Sequence, residues 1–112
     1  MTDDMDLEIP TYKLISGERL QYHIQEYVSL IGELTDDDIE CTLKTGKNII
    51  VIDKYHNIGA FKGSSRIAEI RGKVIGPNKI QFVEGFTLPS VSDPDLESLH
   101  EAINYANDIG VL

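Results

Sequence analysis

Asp36-Asp37-Asp38 is the densest cluster of metal-type ligands in the chain, and adjacent carboxylates suit a hard cation. A calcium loop spaces its oxygen ligands, turns on an internal glycine and closes on a distal glutamate. None of these follows the triplet, which reads instead as a solvated turn. His23, His56 and His100 are far apart, with no Cys or His at the short spacing that zinc requires. Gly46-Lys47 has the ending of a phosphate-binding P-loop, but Cys41 stands where that motif needs its first glycine and Asn48 where it needs Ser or Thr. The lone Cys41 alternates with polar neighbours as an inward strand residue, and a buried thiol is generally inert. No catalytic, metal-ligating or cofactor-binding constellation emerges, so the expected function is not enzymatic.

Phosphate binding is the remaining chemistry to weigh. The net charge of −9 opposes it for the molecule as a whole. The charge is nevertheless uneven: from Lys44 to Lys79 eight basic residues face two acids, while both ends of the chain are acidic. Lys44, Lys47 and Lys54 are therefore the candidates for a weak nucleic-acid contact. Single-strand binders add aromatic side chains on which bases stack, at about 1–3 kcal/mol each. The stretch from Glu40 to Lys54 offers none, Trp is absent, and Tyr55, His56 and Phe61 fall at or beyond a strand end. Any affinity of the isolated chain is expected to be weak, salt-sensitive and carried by lysines.

These residues must be positioned by a single small domain, since 112 residues with 41% hydrophobic content support one core. Residues 1–13 read as an acidic flexible arm, without the basic residues of a secretory or mitochondrial leader at the start, and no apolar run is long enough to span a membrane. A soluble intracellular protein is expected, and one cysteine excludes an internal disulfide framework.

Residues 14–90 carry the signs of a five-stranded domain. Tyr27 to Leu34 places Val28, Leu30 and Leu34 on one side, with Gly32 in its middle, where a long first strand of a barrel must bend. Ile39, Cys41 and Leu43 alternate with polar residues, and Thr45-Gly46-Lys47-Asn48 suits a hairpin. Ile49 to Ile52 is a run of four β-branched residues that predicts burial on both faces. Tyr55 to Ser65 is too rich in glycine for a helix and reads as a loop. Arg66 to Ile75 points Ala68, Ile70 and Val74 inward and repeats the mid-strand glycine at Gly72. Gly76-Pro77-Asn78 is a turn, and Lys79 to Phe86 sends Ile80 and Phe82 inward, with Gly85 as a bulge candidate. Upstream, a short helical turn over Ser16–Tyr22 brings Leu20 and Ile24 to close one barrel end.

The last segment, 91–112, is a capped amphipathic helix. Asp93 suits the N-cap, Pro94 the first helical position and Gly110 the stop. Leu96, Leu99, Ile103 and Ala106 recur at spacings of three and four, and Ala102 and Ile109 widen the stripe. That face is broader than docking on a small barrel requires, which makes these six residues the candidate partner interface, with His100 exposed.

Five strands, two with central glycines, followed by one helix predict an all-β domain with a C-terminal helix: a five-stranded Greek-key barrel of the OB-fold type, with an SH3-like barrel as competitor. The order Leu20, then Val28-Ser29-Leu30-Ile31-Gly32-Glu33-Leu34, Ala68-Glu69-Ile70-Arg71-Gly72-Lys73-Val74, Ile80-Gln81-Phe82 and Asn104-Tyr105-Ala106 resembles the smallest subunits of replication protein A, over about residues 14 to 112. This resemblance implies a nuclear heterotrimer acting in DNA replication, repair and recombination. In it the C-terminal helix joins helices of the middle and large OB-fold subunits, the small barrel is a scaffold, and single-stranded DNA is bound mainly by the assembled complex. Small subunits of replication-protein-A-like telomere complexes, of the CST type or working with telomerase, share the same features. A stand-alone nucleic-acid-binding module is the alternative of a different class.

Overall fold

The computed structural model describes residues 11–36, 40–53, 66–88 and 93–111. The acidic residues 1–10, the Asp37-Asp38 part of the expected turn, Lys54, the expected loop from Tyr55 to Ser65, and Leu112 lie outside the described residues.

Alternating side chains build six strands and one helix. β1 is Lys13–Leu14, followed by a 3-10 helix over Gly17–Tyr22. Then come β2 (Tyr27–Asp36), β3 (Cys41–Thr45), β4 (Asn48–Asp53), β5 (Ile67–Gly76), β6 (Lys79–Thr87) and α1 (Asp93–Asp108). The strand order is β1-β2-β3-β4-β6-β5, with β5 pairing back onto β2, so that β2 to β6 close a five-stranded barrel. β4 and β6 run parallel, and the other pairs within the barrel are antiparallel. This is the OB-fold arrangement expected from the sequence.

β2 closes the barrel because it is long enough to serve two partners. Tyr27 to Glu33 pairs with β5, and Glu33 to Asp36 pairs with β3. Gly32 directly precedes Glu33, where those pairings overlap, and a Cβ there would collide with the carbonyl oxygen of Lys44. Gly72 lies against β6 in the same way, where a Cβ would meet the carbonyl of Gln81 and come within 2.9 Å of the Ile80 side chain. Both glycines therefore mark close backbone approaches, as their mid-strand positions predict.

The barrel interior is filled by Ile15, Leu20, Val28, Leu30, Cys41, Leu43, Ile50, Ile52, Ala68, Ile70, Val74, Ile80 and Phe82. Each large aliphatic side chain buried there contributes about 1.5–3 kcal/mol.

Several expectations are corrected. Lys13, placed in the arm, instead pairs with Val28 as part of β1. Ile49 is 53% exposed, because β4 has one face in the core and the other on the outside of the barrel. Ile24 is exposed, leaving Leu20 to fill the barrel end. The β6 irregularity falls at Val83, between the partners of Arg71 and Gly72, and Gly85 is in regular register with Ile70.

Candidate interaction surfaces

α1 begins with Asp93 as its first helical residue, one position before the start expected at Pro94, and stops where the sequence provides for it. Gly110 adopts φ +81°, its N–H donates to Asn107 O at 3.3 Å, and the Val111 N–H donates to Ala106 O at 3.1 Å. This pair of bonds is a Schellman stop.

The helix docks on the outer face of β2 and β5. Leu96 joins Ile31 and Ile67 in a second apolar cluster, with Leu14, Leu88 and Leu99 packed against it, and Ile103 is also buried. Polar side chains complete the contact. Asn107 Nδ2 donates to Leu14 O at 3.1 Å, and Asn104 Oδ1 accepts from Ser16 Oγ at 2.6 Å and from Arg19 Nε at 3.0 Å. Asn104 Nδ2 donates to Glu18 Oε1, and Arg19 reaches Asp108 at 2.7 Å. His100, expected to be exposed, is half-buried and bonded to the Ile31 carbonyl oxygen.

The six residues assigned to a partner interface are thus divided. Leu96 and Ile103 are spent on the chain's own barrel, and Leu99 and Ala106 are half-buried. Ala102 and Ile109 stay exposed. The apolar residues open to a partner form a row displaced around the helix, through Ala102, Tyr105 (66% exposed) and Ile109 (54% exposed). Their spacing of three and four is that of a helix–helix seam. Tyr105 escaped the stripe as read from the sequence, although its spacing from Ala102 and Ile109 carried the signal.

Two of the three basic candidates, Lys44 and Lys47, lie on β3 and in the β3–β4 turn. Lys44 is exposed beside Ile49, its register partner, and Lys47 is exposed in the hairpin turn. Glu33, the β2 partner of Lys44, is bonded to Arg66 at 2.9 Å. The face carries no aromatic ring on β3 or β4, so it has lysine charge without a stacking platform.

Rings do gather elsewhere. Tyr12 and Tyr27 meet edge to face with centroids 5.9 Å apart, and the Arg71 guanidinium lies 5.7 Å from the Tyr12 ring and 5.1 Å from the Phe86 ring. Arg71 also pairs with Glu69 at 3.1 Å and, more loosely, with Glu84 at 3.7 Å. Partial burial holds the Tyr12 hydroxyl above its ordinary pKa, with Glu84 and Tyr27 adding to the rise and Arg71 opposing it. Local sequence spacing gave no sign of this cluster, because its members come from four separate segments.

Among the described residues no three potential metal ligands converge, and Cys41, the one cysteine of the sequence, is buried. A recess of about 240 Å³ between the 3-10 helix, the β3–β4 hairpin and α1 is lined in part by Ser16, Thr45, His100 and Asn104. Those groups bond to one another or to adjoining backbone, which makes the recess a packing seam.

No protein-family model and no curated protein matches the sequence. Solved structures do match the fold. The telomere capping protein Ten1 from S. pombe aligns with a TM-score of 0.67 at 10% identity, covering 82% of this chain and 96% of that one. A chain in the structure of U. maydis replication protein A bound to ssDNA aligns with a TM-score of 0.64 at 19% identity, over 85% of this chain and 91% of that one. The S. pombe Stn1–Ten1 complex gives a TM-score of 0.65 at 12% identity, over 86% of this chain and 94% of the matched chain. These likenesses establish the OB fold with its terminal helix, and the neighbours are of the two kinds that the sequence resemblance implied.

Proposed function

We propose that this chain is the small scaffolding subunit of a single-stranded-DNA-binding complex of the replication protein A type, acting in DNA replication, repair and recombination in the nucleus. α1 anchors it to the helices of two larger OB-fold subunits. The observation that carries this reading is the divided helix. One side of α1 is consumed in docking, yet Ala102, Tyr105 and Ile109 still leave an apolar row facing solvent. A helix whose only task was to plug its own barrel would gain nothing from that row.

The barrel supports a scaffold role from the other direction. Its β3–β4 face has no ring for a base to stack on, so DNA binding by the assembly falls mainly to the larger subunits. The lysines at 44, 47 and 54 add at most a weak phosphate contact.

A second reading has the same architecture with telomere duty, as the small OB-fold subunit of a replication-protein-A-like capping complex. The Ten1 likeness favours it, since the alignment spans nearly the whole of that chain. Affinity purification of the full chain from its native cells tests both readings. Co-purification of two larger OB-fold subunits supports the first, and a telomere-specific partner set supports the second. Recovery of the chain alone, binding DNA tightly by itself, supports a stand-alone module and overturns both.

A further inference from the structure

The outer wall formed by β1, β2, β5 and β6 is only half covered by α1, which takes the Ile31–Ile67 end. On the other half, strand pairing places Tyr27 beside Lys73 and Arg71 between Ser29 and Glu84. Tyr12 meets Tyr27 edge to face, and the Tyr12 and Phe86 rings flank the Arg71 guanidinium at 5.7 and 5.1 Å. Tyr27 and Phe86 are 37% and 44% exposed. The chain itself arrives at these rings. β1 runs parallel to β2 with Lys13 opposite Val28, so the backbone upstream of Lys13 passes the Tyr27 end of β2, and Tyr12 already lies on the ring side of the sheet.

The residues that precede Tyr12 have the pattern such a wall requires. In Asp4-Met5-Asp6-Leu7-Glu8-Ile9-Pro10, acidic and apolar residues alternate strictly from Asp4 to Ile9. A period of two gives an extended segment one apolar side and one charged side, and Pro10 favours the extended region for Ile9. The apolar side gains free energy only against an apolar surface. Reach is sufficient: Ile9 lies three and Leu7 five residues from Tyr12, spans of up to about 10 and 17 Å. Those spans bring Ile9 to Tyr27 and carry Leu7 across Arg71 to Phe86. Charge selects the orientation, because the segment turned over would set its carboxylates against Glu69 and Glu84, which share the wall with Arg71. Attachment favours this occupant over a free one, since a short tether supplies an effective concentration on the order of millimolar.

We propose that residues 4–9 lie extended across the outer wall of this chain's own barrel, with Ile9 and Leu7 seated on Tyr27 and Phe86 and with Asp4, Asp6 and Glu8 turned to water. The wall beside α1 is thus an intramolecular docking surface, whichever subunits α1 holds.

The test uses the full chain with a nitroxide attached at Glu8→Cys, on the charged side of the segment, and the parent chain as the control for labelling at the buried Cys41. Paramagnetic broadening of backbone amide signals is the readout. The amides of Lys73, Glu84 and Phe86 are expected to lose most of their intensity, while those of Ile49 and Val51 on β4 keep theirs. Adding Leu7→Ser and Ile9→Ser is expected to abolish the contrast. Equal broadening on the two walls overturns the proposal. Wall broadening that survives the two serines overturns it as well, because the apolar side would then not be what seats the segment. The same label on a second copy, mixed with an isotope-labelled chain, separates the sources: wall broadening in that mixture would assign the segment to a neighbouring copy and overturn the intramolecular contact.

Discussion

His100 Nε2 lies 2.6 Å from the carbonyl oxygen of Ile31. A carbonyl can only accept, so the imidazole donates and its Nε2 carries the proton. The position of that carbonyl explains the bond. On this edge of β2, β1 pairs at Val28 and Ser29, with the Ile15 N–H donating to Ser29 O, while β3 pairs only from Glu33 onward. Ile31 O faces the gap between the two partners, and the helix supplies the donor that no strand provides. Asn107 does the same for Leu14 O on β1.

Replacing His100 with Ala leaves that partly buried carbonyl without a partner, and the expected loss is about 1–2 kcal/mol. Urea melts of the two proteins measure it. No change in midpoint would show that the bond does not contribute to docking.

Substitutions on the two sides of α1 are expected to separate docking from assembly. Ile109→Asp and Tyr105→Asp alter exposed residues and should shift stability by no more than about 0.5 kcal/mol, while removing partner subunits from the purified complex. Ile103→Asp buries a carboxylate against the barrel and should cost about 3–5 kcal/mol. Thermal melts and co-purification, run on all three, read both effects. Full partner recovery with Tyr105→Asp and Ile109→Asp combined would remove the basis for the helix anchor.

Gly32→Val and Gly72→Val each force a side chain into a backbone carbonyl of the adjoining strand. Valine's strand propensity offsets less than about 1 kcal/mol, so a net destabilisation of about 1–3 kcal/mol or more is expected at both sites. Denaturant melts decide the sign, and a neutral result at both would contradict the close approaches.

The full chain alone is expected to bind labelled oligo-dT only weakly at physiological salt, with affinity falling further as salt rises. Fluorescence anisotropy provides the measurement. Submicromolar binding abolished by Lys44→Glu and Lys47→Glu would shift the balance to a stand-alone nucleic-acid module.

Much of this architecture was legible in the residue order because it depends on local periodicity and local backbone chemistry. Alternation defined β2 to β6 within a few residues of their observed ends, Gly76-Pro77-Asn78 marked a turn, and Gly110 ended the helix. Gly32 and Gly72 stood out because a glycine in mid-strand marks a bend or a close backbone approach. β1 escaped notice because two residues are too few to show a period.

The sequence by itself determined which residues are apolar and at what spacing, and hence that the chain folds into strands followed by an amphipathic helix. It could not apportion the helix stripe, because Leu96 and Ala102 belong to the same local pattern and only the barrel's curvature decides which of them it covers. The same limit applies to Ile49, whose burial depends on the face that β4 turns outward. Tyr12, Tyr27, Arg71 and Phe86 became neighbours only through strand register and barrel closure. His100 found its acceptor in a gap that exists only because β1 and β3 share one edge of β2. Periodicity acts within a segment, whereas contacts between segments are set by pairing and closure, and those belong to the tertiary structure.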